Sequence, residues 1–519
     1  MHHFYSISLF LFCAFTLTAQ NQPPTVIIQD ISLDEEAQSL TLTFDIEDAE
    51  GEDVEVFFLA SDDSGQTFRL NTESADGDIG YPISPGVGKQ ISWNYTGSIL
   101  QAGEYVLKVV ADDRYPLDIQ EMVDQVDSNL LRERLSHIVG KRHYSVAAEN
   151  LNKTRDTIEQ AFLQYGLQTY RQNFPYIVTT GQNIIGSLPG ATEDEAVIIV
   201  DGHYDTVAAS PGADDNGTAV VGVLEAARIL SQYRFTKTLR FIGFDLEEVG
   251  LKGSRHYVEN RNLEEDIQGV LNMEMIGYYS EAPNSQTLPP GFNVLFPDAY
   301  QAVSGNEFRG DFLTNIAVQS FVPLSNSFQE AATQYVPELK IVSATAPDNL
   351  VPDDFTRSDH AYFWQNGLPA LFLTDGAEFR NPNYHRSSDT LETIDFPFMS
   401  RVVKAVIATA AELAGPQHST EATATVQVTT GAEHLHQLEC FYTVSPNPAR
   451  EELRLRFGPC QEGQLIIELI SLAGQQVLNR KVNPQDGEVQ IATGHLPPGV
   501  YWLRLSDGAF FSGQKVVVE

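Results

Sequence analysis

Five side chains suited to metal ligation, His203, Asp215, Glu248, Glu274 and His385, each stand where an apolar run stops. The words around them are Gly202-His203-Tyr204-Asp205-Thr206, Gly212-Ala213-Asp214-Asp215-Asn216-Gly217, Asp245-Leu246-Glu247-Glu248, Asn272-Met273-Glu274-Met275-Ile276-Gly277 and Asn383-Tyr384-His385. This pattern constrains the fold. Buried strands of an open α/β sheet deliver the residues that follow them to one rim, where such folds gather their sites. Two imidazoles and three carboxylates form a donor set that holds two adjacent zinc ions, which points to hydrolytic chemistry.

The rhythm between about Asp124 and Gly415 agrees with that fold. Ala147 to Gly166 reads as an amphipathic helix, Ala196 to Val200 as a buried strand, and Thr218 to Ser231 as a nearly all-apolar helix. Leu239 to Phe244 and Pro369 to Thr374 read as further strands, and Phe396 to Leu413 as a closing helix. A chain of 519 residues exceeds one core, and the flanks differ in pattern. Residues 23–115 carry short alternating runs separated by turn clusters, which predicts an immunoglobulin- or fibronectin-like β-sandwich. Residues 416–436 read as a linker, and residues 441–519 return to a β pattern, a second β-sandwich. The expected fold class is therefore multidomain, an α/β domain flanked by two β-sandwiches.

Charge narrows the partners. The 70 Asp+Glu against 32 Lys+Arg leave a net −38, a surface that repels nucleic acid and anionic lipid. Residues 1–19 read as a cleavable export signal, apolar from Phe4 to Leu17 with the small Ala19 near its end, although His2 and His3 stand where Lys or Arg is usual. No other stretch is apolar enough for a membrane span. Cys13 falls within that signal. Export permits a disulfide between Cys440 and Cys460, and two unpaired thiols are the alternative.

Each ligand word suggests its own chemistry. His203 and Asp205 lie two apart, so an extended backbone turns both to one side, and Asp205 can take the second N–H of a metal-bound His203. Asp215 opens an apolar helix from a Gly- and Asp-rich loop, where one carboxylate can reach two metals; Asp214 competes for that role. Of the neighbours Glu247 and Glu248, one can ligate while the other faces the attacking water. Glu274 sits within an apolar run and needs a partner, because an isolated buried carboxylate is costly. Tyr384 offers a phenol for an oxyanion or a ring that stacks. His418, His434 and His436 are read as solvated linker residues, since no strand end or carboxylate word frames them.

Together the five words resemble the co-catalytic zinc aminopeptidases of peptidase family M28, over about residues 124–415. The resemblance implies a three-layer α/β/α domain with two zinc ions. One would be held by His203 and Glu274, the other by Glu248 and His385, with Asp215 bridging. It also implies Glu247 as general base, Tyr384 as stabiliser of the tetrahedral intermediate, and a cis peptide bond after Asp215. The family more often has Asp where this chain has Glu274. The word Arg357-Ser358-Asp359-His360-Ala361-Tyr362 resembles a family segment beside the site, in which His360 supports the site rather than binding metal. Near the C-terminus, Val444-Ser445-Pro446-Asn447-Pro448-Ala449, Ser471-Leu472-Ala473-Gly474-Gln475 and Leu496-Pro497-Pro498-Gly499-Val500-Tyr501 resemble the sorting domain of the type IX secretion system. That implies export to the cell surface or beyond, with the secretion machinery as a partner.

These readings converge on a secreted aminopeptidase acting on peptides. A carboxypeptidase or dipeptidase would use the same metals on the opposite chain end. Glutaminyl cyclases of this fold hold one zinc, whereas all five ligand positions are filled here. A surface-binding protein on a dead peptidase fold is expected to lack a ligand or base, and none is missing.

Overall fold

The apolar runs of the central region pair as one eight-stranded sheet in a computed structural model of the chain. The structure describes residues 21–99, 101–429, 442–445, 447–457, 465–471, 476–483, 488–494, 496–506 and 511–518. The strands are β1 (Gln168–Tyr176), β2 (Thr179–Leu188), β3 (Glu193–His203), β4 (Lys237–Phe244), β5 (Asp266–Glu274), β6 (Leu313–Val318), β7 (Ile341–Ala346) and β8 (Ala370–Thr374). Their order is β7-β6-β8-β5-β3-β4-β2-β1. The centre is parallel: β3 pairs in parallel with β4 and β5, and β5 with β8. The β1–β2 hairpin adds antiparallel strands at one edge.

Residues 196–203 of β3 are all buried, as a strand covered on both faces must be. The two-residue period sends Ile198 and Val200 into one apolar layer and Val197 and Ile199 into the other. Helices Ala148–Gln164, Ala219–Leu230 and Phe396–Ala414 close the first layer, and Lys252–Glu259 with His360–Gln365 the second. The three longest of these match the helices read from sequence to within two residues. The helix at Ala219–Leu230 tolerates its nearly all-apolar surface because ten of its side chains and Gly222 are buried between the sheet and its neighbours. Asp395 starts the last helix, its carboxylate accepting from Phe398 N at 2.8 Å with Pro397 in the first turn.

The N-terminal region forms two four-stranded sheets. One contains Thr25–Asp34, Ser39–Glu47, Gly86–Asn94 and Ala75–Gly77; the other contains Gly103–Asp112, Val54–Ser61 and Gly80–Ile83. The fourth member of the second sheet corrects the sequence reading. Ser419–Val428, inside the expected linker 416–436, is the strand beside Gly103–Asp112. Its Thr and Ala content reads as linker composition, yet β-branched Thr on alternate positions suits an edge strand, and Val426 and Val428 are buried. His418 is likewise no solvated residue: its Nδ1 lies 2.7 Å from Asp113 Oδ2 and its ring packs on Tyr115.

The C-terminal region, taken by itself, forms a three-stranded sheet (Tyr442–Ser445, Glu452–Phe457, Glu488–Ala492) and a four-stranded one (Gln476–Val482, Leu465–Ser471, Gly499–Ser506, Phe511–Val518). Leu453, Leu455, Ile467, Leu469, Leu503 and Leu505 are fully buried in its core. The expected export signal, Cys13, Cys440, Cys460, His434 and His436 lie outside the described residues. Among the described residues no helix is long and apolar enough to cross a membrane.

A chain ending at residue 418 bares the edge of Gly103–Asp112 and loses the two buried valines. It should melt roughly 5 °C or more below a chain ending at residue 429, as read by calorimetry.

Candidate metal centre

The candidate residues gather at the carboxyl ends of the parallel strands. His203 is the last residue of β3 and Glu274 the last of β5, while Glu247 and Glu248 come three and four residues after the end of β4. Asp215 comes from the loop between β3 and the helix at Ala219–Leu230, and His385 from the loop after β8. Three left-handed residues turn the backbone sharply at these ends: Leu246 (φ 57°), Met275 (φ 50°) and His385 itself (φ 59°). Such conformations are disfavoured for residues with a side chain and persist where packing dictates them. Gly212 begins the Asp215 loop at φ 64°; a Cβ there would meet the Asp215 carbonyl oxygen at 2.5 Å. The peptide bond between Asp215 and Asn216 is cis, as the resemblance implied.

The fold brings all five expected ligands together as two groups that share Asp215. His203, Asp215 and Glu274 form one group; Asp215, Glu248 and His385 form the other. His203 Nε2 lies 3.2 Å from Glu274 Oε2 and 3.5 Å from Asp215 Oδ1. His385 Nε2 lies 3.1 Å from Glu248 Oε2 and 3.2 Å from Asp215 Oδ2. Glu247 Oε2 stands 3.8 Å from His203 Nε2, beside the first group but outside it. Asp214 turns away: its oxygens accept from Gly277 N at 2.9 Å and Asn381 Nδ2 at 2.7 Å.

Several supports hold these side chains. The Asp205 carboxylate lies 3.4 Å from His203 Nδ1 and accepts the backbone N–H groups of Glu247 (2.9 Å) and Glu248 (3.3 Å). One side chain thus couples an imidazole to the paired glutamates. Glu274 Oε2 accepts from Ser358 Oγ at 2.8 Å and Asn216 Nδ2 at 3.2 Å. Asp389 receives the backbone N–H groups of Asp214 (2.9 Å) and Asp215 (3.2 Å). Arg142 is fully buried and donates to the carbonyls of Ile138, Gly140, Tyr204, Pro211 and Gly212 around the Asp215 loop. Sequence reasoning gave none of Asn216, Ser358, Asp389 and Arg142 a role. Asp389, four residues after His385, carried a local signal, whereas Arg142 carried none. His360 does not reach the ligands; it bonds Phe355 O at 2.7 Å, and burial lowers it to about 3, so it is neutral.

The electrostatics favour a cation. Burial pushes the Glu247 carboxyl well above the usual carboxylate range, Glu274 and Glu248 adding to it against the pull of His203. Burial and the adjacent Asp215 push Glu248 up to about 7. The imidazoles move the other way from what burial dictates. Glu274 and Glu247 raise His203, and the carboxylates of Asp215 and Glu248 raise His385 to about 10. Protons are thus drawn to acids and imidazoles alike, and Asp215 Oδ2 is buried without a hydrogen bond. Two divalent cations placed between the converging lone pairs would relieve both strains, so the donor set fits zinc.

A pocket with about 840 Å³ of empty space, partly open to solvent, leads away from the ligands. Its walls include Phe292, Val303, Phe312, Ile316, Phe355 and Phe372. Arg357 is the one Arg or Lys lining it among the described residues. Its guanidinium pairs with Glu378 and Asp354 and donates to the Tyr384 hydroxyl at 2.9 Å. The Tyr384 ring stacks on His385, with centroids 3.8 Å apart.

Residues 183–410 match the family model described as Peptidase family M28, and residues 443–519 match that described as Secretion system C-terminal sorting domain. A curated relative, the "Uncharacterized protein YfbL" of Escherichia coli (strain K12), is 32% identical over 273 residues, which span 50% of this chain and 79% of that protein. "Aminopeptidase YwaD" of Bacillus subtilis (strain 168) is 42% identical over 101 residues, 19% of this chain and 22% of that one. Among solved structures, the LapA aminopeptidase of Legionella pneumophila is 21% identical, with a TM-score of 0.44, 57% of this chain and 74% of that chain being covered.

Metal ligands must shed protons to bind, so raised imidazoles and a Glu248 near 7 make binding proton-releasing. Zinc titrated into the metal-free protein at pH 7 should release at least about one proton per chain, and apparent affinity should rise between pH 6 and 8. Calorimetry in buffers of different ionisation enthalpy measures both.

Proposed function

The chain belongs to peptidase family M28, and from that premise we propose that it is an exported di-zinc aminopeptidase that removes N-terminal residues from peptides. The observation that carries this reading is the pair of imidazole–carboxylate groups sharing Asp215, with Glu247 beside them, at the mouth of an apolar pocket. His203 and Glu274 would hold one zinc, Glu248 and His385 the other, and Asp215 one oxygen to each. When bound, the zinc pair supplies Lewis acidity toward the scissile carbonyl and toward water.

The chain's own residues do the rest. Glu247 takes a proton from the attacking water as its oxygen bonds to the carbonyl carbon. The same carboxyl returns that proton to the leaving amine when the C–N bond breaks. A carboxyl raised by burial suits this exchange, because it is a stronger base than a solvated carboxylate. Tyr384 accepts from Arg357, which leaves its own O–H free to donate to the carbonyl oxygen as negative charge develops there. Asp205 fixes the amides of Glu247 and Glu248, so base and ligand keep their spacing.

Substrate direction follows from charge. A free α-ammonium entering here meets carboxylates, whereas a C-terminal carboxylate would need an unpaired cation. Arg357 is already neutralised by Glu378 and Asp354, which speaks against a carboxypeptidase. The phenylalanine-rich pocket suits an apolar N-terminal side chain such as leucine or phenylalanine. The sorting-domain match supports export through the type IX machinery to the surface or beyond.

Glu247→Gln should keep two zinc ions per chain while kcat on leucyl anilides falls about 10³-fold, measured with metal analysis on the same sample. Near wild-type turnover would sink the assignment. Tyr384→Phe should lower kcat roughly 10²-fold with little change in zinc content.

A further inference from the structure

The register of the sheet fixes what lies across the ligands from the apolar pocket. The pocket takes wall residues from β6, β7 and β8 (Phe312 just before β6, Ile316, Val342 and Phe372), on one side of the site. The other edge of the sheet carries the β1–β2 hairpin. β2 runs antiparallel to β4 with Ile184 opposite Gly243, so its beginning extends past the end of β4, where Glu247 and Glu248 follow. Gln182 N donates to Asp245 Oδ2 at 2.8 Å, which ties the stem of the hairpin to that turn. From Asn183 to Val178 an extended chain covers about 16 Å, so the tip projects beyond the site's rim.

The tip itself is unusual. Tyr176 pairs with Thr179, leaving Ile177 and Val178 as the two-residue turn. Ile177 is 77% exposed with a left-handed φ of 46°, and Val178 is 93% exposed. A first turn position with positive φ ordinarily takes Gly or Asn, because a β-branched residue is strained there and gains nothing in water. Beneath the tip, the Tyr176 ring meets Tyr144 edge-on at 5.2 Å, and Tyr144 packs on His143 at 4.5 Å. Two bare aliphatic side chains stand on an aromatic stalk.

We propose that Ile177 and Val178 are a docking surface for apolar residues on the leaving-group side of a peptide substrate. This rests on the aminopeptidase reading. With the N-terminal side chain in the pocket over β6–β8, a peptide crossing the ligands runs toward β4 and β2. Its downstream side chains then pass the tip, and contact with them removes exposed apolar surface on both partners.

The test compares three substrates: leucyl-4-nitroanilide, Leu-Gly-Gly-Gly-Gly, and Leu-Gly-Leu-Phe-Gly. The wild-type protein should prefer the apolar peptide over the glycine peptide in kcat/KM. Two double variants follow, I177S/V178S and I177N/V178G, the second of which suits the turn and protects the fold. Both should lose that preference by about tenfold, through KM, while anilide turnover stays within about twofold. Equal preference in wild type and both variants overturns the inference, as does a wild type that does not discriminate between the peptides. A wild-type protein that turns over none of the three, yet cleaves N-blocked peptides at their free carboxyl end, overturns the aminopeptidase reading and this inference with it.

Discussion

Crowded negative charge at one rim of the sheet is the constraint on which the rest of the structure depends. Asp205, Asp215, Glu247, Glu274 and Asp389 are all buried there, with Glu248 half-buried beside them. Carboxylates out of water are costly unless paired or hydrogen-bonded. Here the paired groups are few: two imidazoles, backbone amides, and the hydroxyl and amide of Ser358 and Asn216. The arrangement makes chemical sense as the counterpart of a strong positive charge. Its geometry is imposed from outside, by Asp205 and Asp389 gripping backbone amides and by Arg142 gathering five carbonyls.

What could be read in the sequence, and what could not, divides along the same line. The candidate ligands announce themselves because strand ends are encoded locally: a run such as Val197 to Val200 must stop, and the polar residue that follows is delivered to the rim. Glu274 is informative for a second reason, as a carboxylate inside an apolar run that must find a partner. The supports are not local. Ser358 reaches Glu274 across 84 positions, and Asp389 reaches Asp214 across 175. The word around Ser358 and the nearness of Asp389 to His385 hint that both lie by the site, but neither declares its partner, because only the assembled sheet sets the distance.

Composition misled in one place. A stretch of Thr, Ala and Gln resembles a spacer when counted, yet its alternation is what an edge strand needs. The pocket walls were legible only in outline: the segment from Ser280 to Asp354, rich in Pro, Phe and Asn, reads as wall material and supplies Phe292, Val303, Phe312 and Ile316, but its individual contacts are not encoded locally. Phe292, Phe312, Phe355 and Phe372 come from four separate stretches of chain, and no window of sequence contains two of them close together.

The strand Ser419–Val428 has a consequence for synthesis and export. The sheet it joins is otherwise built from residues before Asp113, so that sheet stays one strand short until the whole catalytic region has followed. Closing a loop of about 300 residues costs little more entropy than closing a shorter one, since the penalty grows only with the logarithm of length. Its effect is on timing rather than on final stability, because distant pairings form late. A sheet begun ahead of the central region is therefore completed only after it, and its finished edge certifies that everything between has already been made.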